Sequence, residues 1–329
     1  MHRELRIDAR VLQTAVPSEV LDEIVACLLA GKHAFSSIAN FSLVSYQFRR
    51  TALRRFFARL YVRSPSHWIH CCQIMGIFSW ARFLECSSKT ISIQTENLIE
   101  YYNLQAVEID FSPDGLSTQT NRIQLIFQHL PTRLTCLTLT FLPRIDTSLL
   151  SLISTNFPAL ETLELTCTER LDETCCWLCY EESFSRTLHS PIPEYYSTVE
   201  DLAVAFATAI KPLRKLQHLV LGVFLSDVAL PDNHVAHHHL YNPFDPLQGG
   251  ADLPYGPDCC IFCADQDVEV RRREMVASAT VAIIVESLET VTWSTYFAKN
   301  EPGDDEQTRE TTAWVRRRDG KVHVRRTPW

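Results

Sequence analysis

The sequence predicts an α/β chain: three short N-terminal helices, then a solenoid of short parallel strands backed by helices, with two loop insertions and a C-terminal hairpin. Three observations predict it. Apolar residues in the first sixty positions recur at intervals of three and four, the period of helices with one buried face. In the remainder, a helical stretch, a break and a Leu-x-x-Leu-x-Leu strand recur as a unit. Near the end, apolar and polar residues alternate on both sides of Asp319-Gly320, a strong hairpin turn.

The 329 residues are 46% hydrophobic and 21% charged, the composition of a globular chain with a full core. A net charge of −8 argues against general attraction to nucleic acid or to an anionic membrane. The opening "MHRELRIDARVLQTAVPSEV" lacks the apolar run of a signal peptide, and no stretch approaches the roughly 18 apolar residues of a membrane span. The expected compartment is the cytosol or nucleus, where paired Cys-x-x-Cys spacings favour metal or thiol chemistry over a disulfide framework.

In "VPSEVLDEIVACLLAG", Pro17 suits a first helical turn and Glu19 complements the positive end of the helix dipole. Val20, Leu21, Ile24, Val25, Leu28 and Leu29 then share a face, and Gly31 ends the helix. "AFSSIANFSLVSYQFRR" places Ile38, Phe41, Val44 and Phe48 at helical intervals, and "TALRRFFARLYV" adds Leu53, Phe56, Phe57 and Leu60. Three helices of this size cannot bury all these side chains among themselves, so part of the surface must face a neighbour. The arginines from Arg49 to Arg63 read as a solvated helix face rather than a nucleic-acid patch.

Pro17, Glu19, Val20, Leu21, Ile24 and Leu28, followed by "SLVSYQFRR", resemble an F-box over roughly residues 15–60, with Val16 where that family usually has Leu. The resemblance implies an F-box-like domain over 1–62 that docks on a Skp-type adaptor and so joins a cullin ligase core. The contact residues it implies are Pro17, Leu21, Ile24, Leu28, Leu43, Val44 and Phe48. The plain alternative is a helical cap with the same stripe facing inward.

The repeated strands are centred on Leu134/Leu137/Leu139, Leu160/Leu163/Leu165, Leu216/Leu219/Leu221 and Leu288/Val291/Trp293, with a degenerate copy at Leu104/Val107/Ile109 and a first strand expected in "KTISIQ" near Ile91. Pro131, Pro158 and Pro212 stop the preceding helices. Each unit buries its core only against its neighbours. The set resembles leucine-rich repeats of the long, irregular kind found behind an F-box in fungal proteins, here over 63–329. Leu104 to Leu134 is 30 residues and Leu134 to Leu160 is 26, but the next two steps are 56 and 72. Two insertions are therefore expected, at about 168–198 and 222–267, both leaving the same end of neighbouring strands.

Each insertion carries one Cys-Cys-x-x-Cys, in "TCCWLCYE" and "DCCIFCAD". Cys176, Cys179, Cys260 and Cys263 would make two hooks for a structural zinc, with Cys175 and Cys259 spare or exchanging as ligands. Against this, neither hook has the glycine common after such knuckles, and the other reading is thiols acting as small apolar residues. His234, His237, His238 and His239 lie between Pro231 and Pro243 and read as a solvated loop.

There is no phosphate-binding glycine loop, nucleophile elbow or His-Glu-x-x-His, and glycines number only nine, so catalysis by this chain is not expected. The expected function is a substrate-recognition adaptor of a cullin-based ubiquitin ligase, holding an unknown protein substrate on the repeats. The alternatives are a ligase-independent protein-binding module and a metal- or thiol-dependent enzyme built on the cysteine clusters.

Overall fold

The computed structural model describes residues 16–31, 34–167, 191–192, 195–225, 261–295 and 310–329. Three helices come first, α1 (Ser18–Ala30), α2 (Phe35–Ser42) and α3 (Tyr46–Phe56). Val25, Ile38 and Ala52, one from each, form a small core of their own, edged by Leu29, Phe41 and Phe56. Polar contacts set the crossing: Asp22 takes Arg54 at 3.1 Å and Arg55 at 3.0 Å, and Gln47 Nε2 donates to the Val16 carbonyl at 3.0 Å. Ser45 starts α3 by accepting the Phe48 N–H on its hydroxyl.

Among the described residues the rest of the chain forms one open sheet of nine strands in chain order: β1 (Arg59–Val62), β2 (Phe83–Ser87), β3 (Ala106–Asp110), β4 (Cys136–Leu142), β5 (Thr162–Cys167), β6 (His218–Phe224), β7 (Thr290–Ser294), β8 (Glu310–Arg318) and β9 (Lys321–Arg325). The first seven run parallel, and β8 and β9 are antiparallel. Every strand pairs with its neighbour in sequence, so the architecture is α/β and solenoid-like. Between strands lie α4 (Pro65–Cys72), α5 (Ile77–Trp80), α6 (Ser88–Ile91), a 3₁₀ turn (Thr95–Glu100), α7 (Leu116–Phe127), α8 (Thr147–Asn156), α9 (Val199–Ile210) and α10 (Ile261–Ile284).

The register shows why the leucines recur. Leu60, Leu84, Val107, Leu137, Leu163, Leu219 and Val291 pair in one unbroken row. Val62, Cys86, Ile109, Leu139, Leu165, Leu221 and Trp293 make a second. All are buried, as are Leu104, Leu134, Leu160, Leu216 and Leu288 ahead of the strands. Each such side chain contributes roughly 1.5–3 kcal/mol, and alternation by two puts them all on the helix side. A backbone ladder marks the equivalent positions: Gln105, Thr135, Glu161, Gln217 and Glu289 each donate an N–H at 2.8 Å to the carbonyl of the previous member, starting from Arg82.

Three sequence expectations are corrected. "KTISIQ" is not a strand, because the Ser87 hydroxyl accepts the Thr90 N–H and starts α6 there. The third helix stops at Phe56, and "RLYV" is already β1, its Leu60 and Val62 buried in the sheet. The second insertion is shorter than 222–267, since β6 runs to Phe224 and α10 begins at Ile261. The joint between α3 and β1 is two residues long: the Ala58 carbonyl accepts from Arg82 and Phe83, and the Phe57 ring stacks 6.5 Å from Trp80.

The terminal hairpin turns at Asp319 and Gly320, both with positive φ (54° and 71°), as a two-residue turn of this hand requires. From the inner side of β8, Arg317 donates to the carbonyls of Leu288 (2.6 Å), Ala282 (2.8 Å) and Val285 (3.0 Å), capping the end of α10. We expect Arg317→Ala to cost on the order of 2 kcal/mol, seen as a lower urea midpoint with an unchanged m-value.

Candidate docking surfaces

The first surface lies on the N-terminal helices. Leu21 and Val25 face inward, so the opposite side of α1 is left with Val16, Val20, Ile24 and Leu28 at intervals of four, between 38% and 49% exposed. They form an open apolar face, with Glu19, Glu23 and Cys27 along the same side. At the corner between α2 and α3, Leu43 is 70% exposed, Val44 65% and Tyr46 79%. The Gln47–Val16 hydrogen bond ties this corner to the start of α1. A continuous apolar strip on so small a bundle is more than a solvated surface ordinarily carries.

Of the residues implied by the resemblance, Pro17, Ile24, Leu28, Leu43 and Val44 are exposed. Leu21 is not, being fully buried on the inner side of α1. Phe48 is half-buried, its ring 4.7 Å from Phe41. Leu21 therefore supports the surface from beneath instead of contacting a partner. Val16, Val20 and Tyr46 belong to the strip although they are not among the contact residues the resemblance implies; the four-residue spacing of Val16, Val20, Ile24 and Leu28 is the signal that finds the first two.

The second surface is the open face of the sheet. Glu85, Glu108, Thr138, Glu164, Val220, Thr292 and Thr312 pair in register across it. Burial, then the charges of Glu85 and Glu164, push the Glu108 carboxyl above its ordinary value. Burial and Glu310 push Glu164 the same way, while a hydrogen bond from Thr138 works against them. Toward β8 and β9 the face turns basic: Arg316, Arg318, Lys321, His323 and Arg325 share it, since Arg316 pairs with His323, Arg318 with Lys321 and Trp314 with Arg325.

Of the proposed zinc ligands, Cys175, Cys176, Cys179, Cys259 and Cys260 lie outside the described residues, as do His234, His237, His238 and His239. Cys263 sits in the first turn of α10, fully buried in a small cluster with Val270, Phe224 and Phe262. Among the described residues no group of three or more His, Cys, Asp or Glu is placed to hold a metal. Burial pushes the Cys71 thiol up to about 11 and Cys167 up to about 12, and raises Cys72, Cys86 and Cys136 as well, so none of these five supplies a thiolate at neutral pH. Among the described residues no helix is long and apolar enough to cross a membrane. Compared with known proteins, the chain matches no family model, no curated protein and no solved structure.

Proposed function

We propose that the chain is a substrate-recognition adaptor of a cullin-based ubiquitin ligase, acting in the cytosol or nucleus. Its F-box-like helices α1–α3 dock on a Skp-type adaptor, and its leucine-rich-repeat-like sheet holds a protein substrate. The observation that carries this reading is the exposed strip Val16, Val20, Ile24, Leu28, Leu43 and Val44, left over after the bundle has filled its own core. Aliphatic side chains in one strip are what a partner's apolar groove takes up. Transfer of ubiquitin would be done by associated proteins, with this chain supplying proximity.

The test is co-purification of the full chain with a Skp-type adaptor. Ile24→Asp with Leu28→Asp should weaken the complex by about a hundredfold or more, because two side chains central to the strip are replaced by charges. Both positions are about 40% exposed, so the helical signal should survive. Leu21→Asp serves as the contrasting variant, since a charge at a fully buried position unfolds the bundle itself. Equal recovery of adaptor with the wild-type chain and the exposed double variant would overturn the proposal. Retention of a different partner without adaptor would favour a ligase-independent binding module.

A further inference from the structure

We infer that the outer face of the β8–β9 hairpin is a binding site for a short, extended acidic segment of a partner protein. As the substrate class of the proposed adaptor it rests on that reading, but the site itself stands on its own geometry.

The residues from Glu310 to Trp329 hold six lysines and arginines against two carboxylates, in a chain whose net charge is −8. The strand register, not the sequence count, concentrates them. Arg316, Arg318, Lys321, His323 and Arg325 stand on one face, while Val315, Val322 and Val324 take the other and pack inward with Arg317. Arg316, Lys321 and His323 make no ion pair among the described residues, and the Arg318 partner is the exposed Asp319 beside it at 3.5 Å. The Trp329 ring lies 4.0 Å from the Arg325 guanidinium and 5.5 Å from that of Arg316, holding two of the cations in place without neutralising them. The platform is firm, because Arg317 bolts β8 to the end of α10 from behind.

Charges on an exposed edge strand also discourage sheet-to-sheet aggregation, and scattered lysines of either orientation would suffice for that. Here Arg316 and Arg318 stand two residues apart on β8, about 7 Å, and Lys321 and Arg325 flank His323 on the paired strand. That is the spacing of alternate side chains in an extended peptide, so Asp or Glu at every second position can meet them in turn. A polyanion running beyond the hairpin would meet Glu164, Glu108 and Glu85 on the adjoining face. Charge complementarity thus favours a short acidic peptide over a nucleic acid.

The experiment uses the full chain alone, without a Skp-type adaptor, so that failure here is separable from failure of adaptor docking. A fluorescently labelled oligoglutamate about eight residues long is titrated at low salt and followed by anisotropy, beside an oligolysine and a single-stranded oligonucleotide of equal length. Oligoglutamate should bind most tightly, and Arg316→Ser with Lys321→Ser should weaken it about tenfold with the melting temperature unchanged. Arg316→Lys, which keeps the charge, should retain most of the affinity. Absence of oligoglutamate binding, or equal binding by the wild-type chain and the double serine variant, overturns the inference. Tighter binding of the oligonucleotide than of the oligoglutamate overturns it in favour of a nucleic-acid site.

Discussion

At pH 8, Glu274→Met should be more stable than the wild-type chain by on the order of 3 kcal/mol, and the advantage should vanish near pH 4.5. Glu274 sits in the middle of α10, 1% exposed, and among the described residues neither carboxylate oxygen has a well-aligned hydrogen-bond partner. Burial pushes its pKa from 4.5 up to about 7; the nearby hydroxyls of Thr311 and Thr295 and the charge of Arg271 pull back, and Asp267 adds to the rise. The two threonines ease the carboxylate without the alignment of a hydrogen bond. The unfolded chain releases this proton near 4.5, while the folded chain keeps it up to about 7. The stabilisation from holding the proton is therefore complete below pH 4.5 and is lost as pH rises through 7. Methionine fills a similar volume and has nothing to ionise. Urea midpoints at pH 5 and pH 8 read the difference directly: the wild-type chain should lose more stability over that interval than the variant. Equal losses would assign the pH dependence to other groups, of which Glu108 and Glu164 shift in the same direction.

Gly222→Ala should cost about 3 kcal/mol or more, among the largest effects available to a single methyl group. A Cβ at Gly222 would stand 2.7 Å from the Thr166 Cα, 2.9 Å from the Cys167 nitrogen and 3.1 Å from the Leu165 carbonyl oxygen. All three belong to the backbone of β5, which cannot swing aside as a side chain would. Gly222 pairs with Thr166, and the register on its other side shifts between Leu221 and Phe224, so the strand bends where its neighbour comes closest. Thermal denaturation of Gly222→Ala beside Val220→Ala, on the open face, checks this. A similar small loss in both would show that β5 yields.

The strands that could be read in the sequence are those whose apolar residues keep one place in a repeat. Leu137, Leu163 and Leu219 lie side by side because a leucine three positions earlier fills the same place beneath each strand. The two strands that the repeat pattern does not mark, β1 and β2, have no such leader. "RLYV" continues the three- and four-residue rhythm of Leu53, Phe56 and Phe57, and only pairing with Phe83–Cys86 makes it a strand. "KTISIQ" alternates like a strand, but the hydrogen bond that the Thr90 N–H donates to the Ser87 hydroxyl outweighs the pattern, leaving Ile91 buried and Ile93 exposed. The beginning of α10 reads as loop in the sequence because the charged residues of this helix are not confined to one side, and Glu274 is buried. The docking strip was half readable: helical spacing places Ile24 and Leu28 together, but which side of α1 turns inward depends on α2 and α3, and that choice removed Leu21. The basic face of the hairpin needed the register, since Arg316 and His323 are seven positions apart in sequence yet opposite one another in space.

With only Phe57 and Ala58 between the last N-terminal helix and the first strand, Phe57 stacked on Trp80 of α5 and the Ala58 carbonyl bonded to Arg82 and Phe83, the joint has little freedom to swivel. A companion gripped at the front would be carried at a set angle to whatever rests on the strands, as by a bracket and not a tether. On the proposed adaptor reading, lengthening that joint with a few glycines would change which lysines of a bound target come within range.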